Sequence, residues 1–171
     1  LVSAYPTTLP LLIGELSSDN VMDNGGQFDT DELIEKLYLW DSPSISSYDS
    51  PYALWEGCYA AIASANMALE GIENLGSPAS LNPQRGEALV CRAYSHFLLA
   101  NVFCMPYNPN TAESHLGIPY RTRTGDSVYP ENTERGSLKN TYEQIAADLE
   151  AGLPLIKDAA YEAVSYTHLT L

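Results

Sequence analysis

The chain has 171 residues, 45% of them hydrophobic, which is enough for one domain with a real core and too apolar for a disordered polymer. Acidic residues outnumber basic ones 22 to 8, a net charge of −14, so repulsion disfavours nucleic acid and bare anionic lipid and leaves open neutral ligands or a partner with a basic surface. No apolar run reaches the roughly 18 residues of a membrane span.

The chain begins at Leu1, with no leader sequence, and stops shortly after a helical pattern, so a fragment of a longer protein is expected and export is left open. Residues 5–16, "YPTTLPLLIGEL", read as a short helix or the remnant of one. A polar loop with paired glycines, Gly25 and Gly26, follows. Its acids Asp19, Asp23, Asp29, Asp31 and Glu32 do not meet the EF-hand order, because Met22 stands where an oxygen ligand is needed, and a solvated acidic loop is expected with no metal. Asp29 or Thr30 is placed to cap a short helix through "DELIEKLYLW".

Residues 41–51 form a second loop. Ser50 or Asp49 can cap the next helix, with Pro51 in its first turn, and that helix runs to about residue 75. Its apolar stripe passes through Trp55, Cys58, Tyr59, Ile62, Leu69 and Ile72. Asn66 interrupts the stripe, four residues after Ile62 and three before Leu69. A buried amide without a partner costs about 1–3 kcal/mol, so Asn66 is expected to bond a backbone carbonyl at a helix end or in a loop. Direct ligand contact is the alternative, and it requires that face to open into a groove.

After the turn "GSPASLNP", Asn82 and Pro83 are suited to cap and open a helix over residues 84–103, forming an αα-hairpin with its predecessor. The stripe there passes through Ala88, Cys91, Tyr94 or Ser95, Leu98 and Val102. Arg92 follows the stripe and is expected to anchor a loop carboxylate or carbonyl, Asp19 being one candidate. A connection over residues 105–136 holds Pro106, Pro109, Pro119 and Pro130, and loops this long are usually functional or disordered. Within it "GIPYRT" reads as a short extended piece. The last helix spans residues 137–156, capped by Ser137, with Tyr142, Ile145, Leu149, Leu153 and Ile156 as its stripe and an end weakened by Gly152 and Pro154. No stretch alternates as a strand does, so the class is all-α.

Catalytic signatures are missing: no G-x-S-x-G elbow, P-loop, dinucleotide fingerprint or H-E-x-x-H occurs. His96 lies mid-helix and reads as structural. Cys58, Cys91 and Cys104 match no zinc spacing and read as buried thiols without a disulfide. Acids are so plentiful that a carboxylate pair for glycoside hydrolysis carries no signal. Tyrosine is abundant, at 12 residues, which suits half-wet recognition surfaces. Tyr38, Trp40 and Tyr48 lie at or beside a loop, where flat rings can stack on the C–H faces of sugars; alternatively, they pin the loop down. These three are the candidate ligand-binding residues.

Four blocks resemble the SusD/RagB family. "LWEGCYAAIASANMAL" resembles its first repeat helix, with Trp, Tyr, Ile and an "AN" pair in order. "RGEALVCRAYSHFLLANVF" resembles the next, through Glu87, Ala88, Arg92, Ala93, Tyr94 and Leu98. "GIPYRT" is similar to the "GIP" after the family's long loop, and "YEQIAADLEAGLPLI" resembles its last block through Tyr142, Ile145, Asp148, Leu149 and Glu150. "SSDN" near the front also fits. The chain departs from the family at Cys104 or Met105, where Gly is frequent, and at Gly152, where Ala is frequent.

The resemblance implies tetratricopeptide-like helix pairs carrying long inserted loops. Asn66, Arg92 and Glu87 are then structural polar residues. It implies no cofactor and no catalysis, but the binding of an oligosaccharide or polysaccharide, or sometimes a peptide, and delivery to a SusC-type TonB-dependent transporter. It also implies a lipid-anchored, outward-facing place at the outer membrane of Bacteroidota. Residues 1–162 would be an N-terminal part of such a domain, without the anchoring Cys, and residues 163–171, with "SYTHLTL", are set apart as a tail unlike family sequence. A plain tetratricopeptide-like adaptor is the rival reading, against which the long Pro-rich loops count. An enzyme is a third, supported by acidic residues alone.

Overall fold

The computed structural model describes residues 11–22, 32–41, 50–125 and 134–156. Five α-helices occur among them: α1 (Leu11–Leu16), α2 (Glu32–Tyr38), α3 (Pro51–Asn74), α4 (Asn82–Phe103) and α5 (Leu138–Gly152). No strand is present among the described residues; a single bridge pairs Leu116 with Ser137. The all-α class with paired helices therefore holds.

The long helices start where local chemistry sets them. Ser50 accepts the Ala53 amide on its side chain at 3.2 Å and Pro51 takes the first turn of α3. Ser137 does the same for α5 through the Asn140 amide, also at 3.2 Å. Asn82 departs from expectation. A 3-10 turn, Ala79–Leu81, runs directly into α4, so Asn82 is already helical and Leu81 takes the cap position without a side-chain bond. The expected caps Asp29 and Thr30 of α2 lie outside the described residues.

Helix α4 is the middle of the molecule, packed on α3 along one side and on α5 along the other. Two interfaces bury it on most of its circumference, so Ser95 points inward with Ala88, Cys91 and Leu98, whereas Tyr94 is 38% exposed. The core gathers Leu54, Cys58, Ile62, Leu98, Leu99, Ala100 and Ile118, with Ile13 of α1, Trp55, Tyr59 and Phe103 packed around it. Trp55 meets Phe103 edge-on at 5.0 Å and Tyr59 at 4.9 Å, so both stripe aromatics of α3 are packing residues. Helix α2 buries Leu33 and Leu37 and is tied to α1 by the Ser17 hydroxyl, which donates to the Leu37 carbonyl at 3.0 Å.

The buried face of α5 is rotated from the expected stripe. Leu138, Thr141, Ile145, Asp148 and Gly152 face inward, Tyr142 and Leu149 are half-buried, and Leu153 is exposed in a 3-10 turn, Leu153–Leu155. Gly152 explains the rotation at one end. A Cβ there would stand 2.9 Å from the Gly86 carbonyl of α4, and one on Gly86 would stand 2.7 Å from the Gly152 carbonyl. Gly152 is thus both the last residue of α5, which stops four residues short of the expected 156 and passes into the 3-10 turn, and the point of a close helix crossing. On the outer side of α4 and α5 an apolar cleft of about 380 Å³ stays open, lined by Val90, Ala93, Tyr94, Phe97, Ile145 and Leu149.

Candidate functional site

The loop over residues 104–125 is fastened to the helices at many points from Ala112 to Thr124. The loop first caps α5: the amides of Leu138 and Lys139 donate to the carbonyls of His115 and Ala112 at 2.8 and 3.1 Å. With Ser137 taking the Asn140 amide, the orphan donors of that helix start are satisfied. Gly117 passes so close to α5 that an added Cβ would meet Thr141 Oγ1 at 2.1 Å and the Ser137 carbonyl at 2.7 Å. Arg135 closes the base, donating to the carbonyls of Gly117 and Phe103 at 2.5 and 3.0 Å.

Beyond Gly117, several polar residues on the inward helix faces hold loop atoms. From α3, the Tyr59 hydroxyl donates to the Pro119 carbonyl at 2.8 Å, Asn66 Nδ2 to the Arg121 carbonyl at 3.1 Å, and the Glu70 carboxylate accepts the Thr124 amide at 2.8 Å and the Thr124 hydroxyl. Tyr59, Asn66 and Glu70 are spaced by seven and four, one face of a helix. From α4, Arg92 Nη1 donates to the Thr122 carbonyl at 3.2 Å and to Asn66 Oδ1 at 2.9 Å, and His96 Nε2 accepts the Arg121 amide at 3.1 Å. From α5, Asp148 receives the Tyr120 hydroxyl at 2.7 Å and a two-pronged contact from Arg92, with Nε and Nη2 at 2.7 and 2.6 Å. Asn66 therefore has the loop-carbonyl partner expected of it. Arg92 also finds a loop carbonyl, but its carboxylate is Asp148 of a neighbouring helix, not Asp19, because α4 and α5 pack side by side.

Burial shapes the ionisation of this cluster. Burial alone works against the Arg92 charge, yet the Asp148 carboxylate outweighs it and holds the guanidinium's pKa above its ordinary value. Burial pushes the Tyr120 phenol well up, with Asp148 adding to the rise. His96 is fully buried, stacked on Tyr120 at 3.8 Å, and burial lowers its pKa to about 4. The three cysteines are unbridged; burial raises Cys58 and Cys91 to about 11, so both stay thiols at neutral pH. Glu87 is half-buried one turn before Cys91, where its charge adds to that rise.

Of the three candidate ligand-binding residues, Tyr38 and Trp40 fall together at the end of α2, and Tyr48 lies outside the described residues. Tyr38 is half-buried as the last helical residue. Trp40 is 77% exposed and has φ +58°, the left-handed region. The Trp40 amide donates to the Leu37 carbonyl at 3.3 Å and the Asp41 amide to the Lys36 carbonyl at 2.8 Å, the two bonds of a Schellman turn. Helix α3 ends in the same motif with Gly76, φ +78°, at the corresponding position. Glycine adopts this conformation without penalty, whereas a side-chain-bearing residue is strained by about 1–2 kcal/mol. Sequence reasoning selected Trp40 by its neighbours but had no access to this turn.

Beside the fastened loop lies a pocket of about 340 Å³ with Leu69, Glu70, Glu73, Arg85, Thr122 and Arg123 on its walls. The loop pegs Tyr120, His96 and Asp148 were not singled out as a set. Asp148 could have been, since an acid three residues after Ile145 borders the apolar stripe. Tyr120 offered no such signal, because its partner lies 28 residues away. Among the described residues no group of three or more metal-ligating side chains comes together, and no helix is long and apolar enough to cross a membrane. The acids Asp23, Asp29 and Asp31 lie outside the described residues.

No curated protein matches the chain. A SusD-like family model, described as "starch-binding associating with outer membrane", matches residues 14–171. That span takes in every helix but the start of α1, the fastened loop and the strained Trp40. The chain belongs to the SusD-like family, described as starch-binding and associating with the outer membrane.

Proposed function

We propose that this protein binds a glycan at the cell surface without altering it and passes it to a SusC-type TonB-dependent transporter, Trp40 serving as a stacking platform with Tyr38 and Tyr48 beside it. In this reading residues 1–162 are the N-terminal portion of a lipid-anchored, outward-facing protein. Family membership supports the glycan and the membrane association. The observation that carries the site is the exposed indole held at positive φ. Strain retained at an exposed, large aromatic is what a presented binding residue looks like, since a purely structural turn is served better by glycine. An indole face offers an apolar surface to sugar C–H groups, and its N–H offers a donor to a hydroxyl.

Affinity electrophoresis and isothermal titration with soluble starch and maltoheptaose, then a wider glycan panel, test this. Binding by the wild type and a tenfold or greater loss in Trp40→Ala, with an unchanged melting temperature, is expected. Unchanged binding in the variant removes Trp40 from the site. Silence of the wild type across the panel replaces the glycan with a peptide ligand.

A further inference from the structure

We propose that His96 is an acid-operated latch: its neutral ring holds loop residues 120–122 against α4, and protonation releases that segment while the helices stay packed. The polarity of its partners fixes the tautomer. The Arg92 carbonyl, 2.9 Å from Nδ1, can only accept, so Nδ1 carries the proton. The Arg121 amide, 3.1 Å from Nε2, can only donate, so Nε2 presents a bare lone pair. A second proton has to go on Nε2, where it meets the Arg121 N–H head-on. The ring must then turn away, giving up both that bond and its stack on Tyr120.

The surroundings do not welcome the new charge. From α3 the ring faces Tyr59, edge-on at 6.3 Å and uncharged. From its own helix it faces the Arg92 guanidinium, and from the loop it faces Tyr120 and Arg121. From α5 the nearest charge is Asp148, whose oxygens already take Arg92 and Tyr120. Burial is the main thing that disfavours an imidazolium here, and the Arg92 cation adds to it, while the Asp148 carboxylate works the other way. The balance is a pKa of about 4 for the latched ring against about 6.5 in water. A depressed histidine favours the latched state above pH 6.5 and loses that preference down to about pH 4. The latching equilibrium therefore falls by about 80-fold between those limits and by about 300-fold over the whole titration. The α3–α4 packing rests on Leu54, Cys58, Ile62, Leu98 and Leu99, which carry no charge in this range, so release is local.

The test is a 15N NMR titration of the full chain from pH 7.5 to 3.5, following the His96 ring nitrogens and the backbone amides, with His96→Gln in parallel. The Gln variant retains an acceptor and cannot take up a proton. Expected is a shared midpoint between about pH 4 and pH 6.5 for the His96 ring and the Arg121 and Thr122 amides, with α3 and α4 amides unmoved and the loop transition abolished in His96→Gln. The proposal is overturned if loop and helices move at one midpoint, if the loop amides stay fixed to pH 3.5, or if His96→Gln keeps the transition, which would assign it to a group other than His96. Should His96→Gln not fold, coincidence or mismatch of the wild-type ring and amide midpoints decides.

Discussion

Replacing Arg92 by Met tests whether the buried polar cluster is what fastens the loop. Arg92 is 7% exposed, and its guanidinium engages both Asp148 oxygens at 2.7 and 2.6 Å, Asn66 Oδ1 at 2.9 Å and the Thr122 carbonyl at 3.2 Å. Met fills similar volume but offers no donor. It strands the Asp148 carboxylate with the Tyr120 hydroxyl and leaves Asn66 Oδ1 and the Thr122 carbonyl short of their partner. Breaking one side of a buried pair costs about 3–5 kcal/mol, and each orphaned acceptor about 1–3 kcal/mol before relaxation. These terms overlap as the site relaxes, so we expect a loss of about 4 kcal/mol in urea unfolding followed by circular dichroism. Adding Asp148→Asn removes the stranded charge. The double variant is then expected to recover about 1–3 kcal/mol relative to the sum of the single losses, the coupling of neighbours sharing one network. A loss below about 1 kcal/mol for Arg92→Met, or strict additivity of the pair, would refute the reasoning and make the cluster ornamental to folding.

Two further outcomes follow from backbone geometry. Trp40→Gly is expected to raise stability by about 1 kcal/mol, by relieving the left-handed strain, while weakening glycan binding as Trp40→Ala does; a loss of stability would show that the indole packs rather than presents. Gly152→Ala is expected to destabilise by about 1–2 kcal/mol, since its Cβ would press on the Gly86 carbonyl at 2.9 Å and Leu89 Cβ at 3.0 Å. Gly57→Ala in α3, where an added Cβ meets nothing within 4 Å, is its control and is expected to gain about 0.5–1 kcal/mol in the same melt.

The local sequence by itself determined the helices and most of their limits. Ser50 with Pro51 and Ser137 are capping devices whose partners lie three residues on, so reading them needs no knowledge of the chain path. The anomaly at Asn66 was legible for a similar reason: an amide on an apolar stripe must find a partner, whatever the fold. Which partner it finds was decided only by tertiary structure. Asn66 reaches Arg121 across 55 residues and Arg92 reaches Asp148 across 56, pairings that exist because α4 lies between α3 and α5. The same placement turned the inward face of α5 toward Thr141 and Asp148 and made Gly152 a crossing point. It also left no side-chain cap for Asn82, whose helix begins from a 3-10 turn. Trp40 shows the division most plainly. The sequence places an aromatic next to a loop, but the left-handed turn that holds it out in solvent is closed on the carbonyls of Lys36 and Leu37, and where α2 stops is seen only in the folded chain.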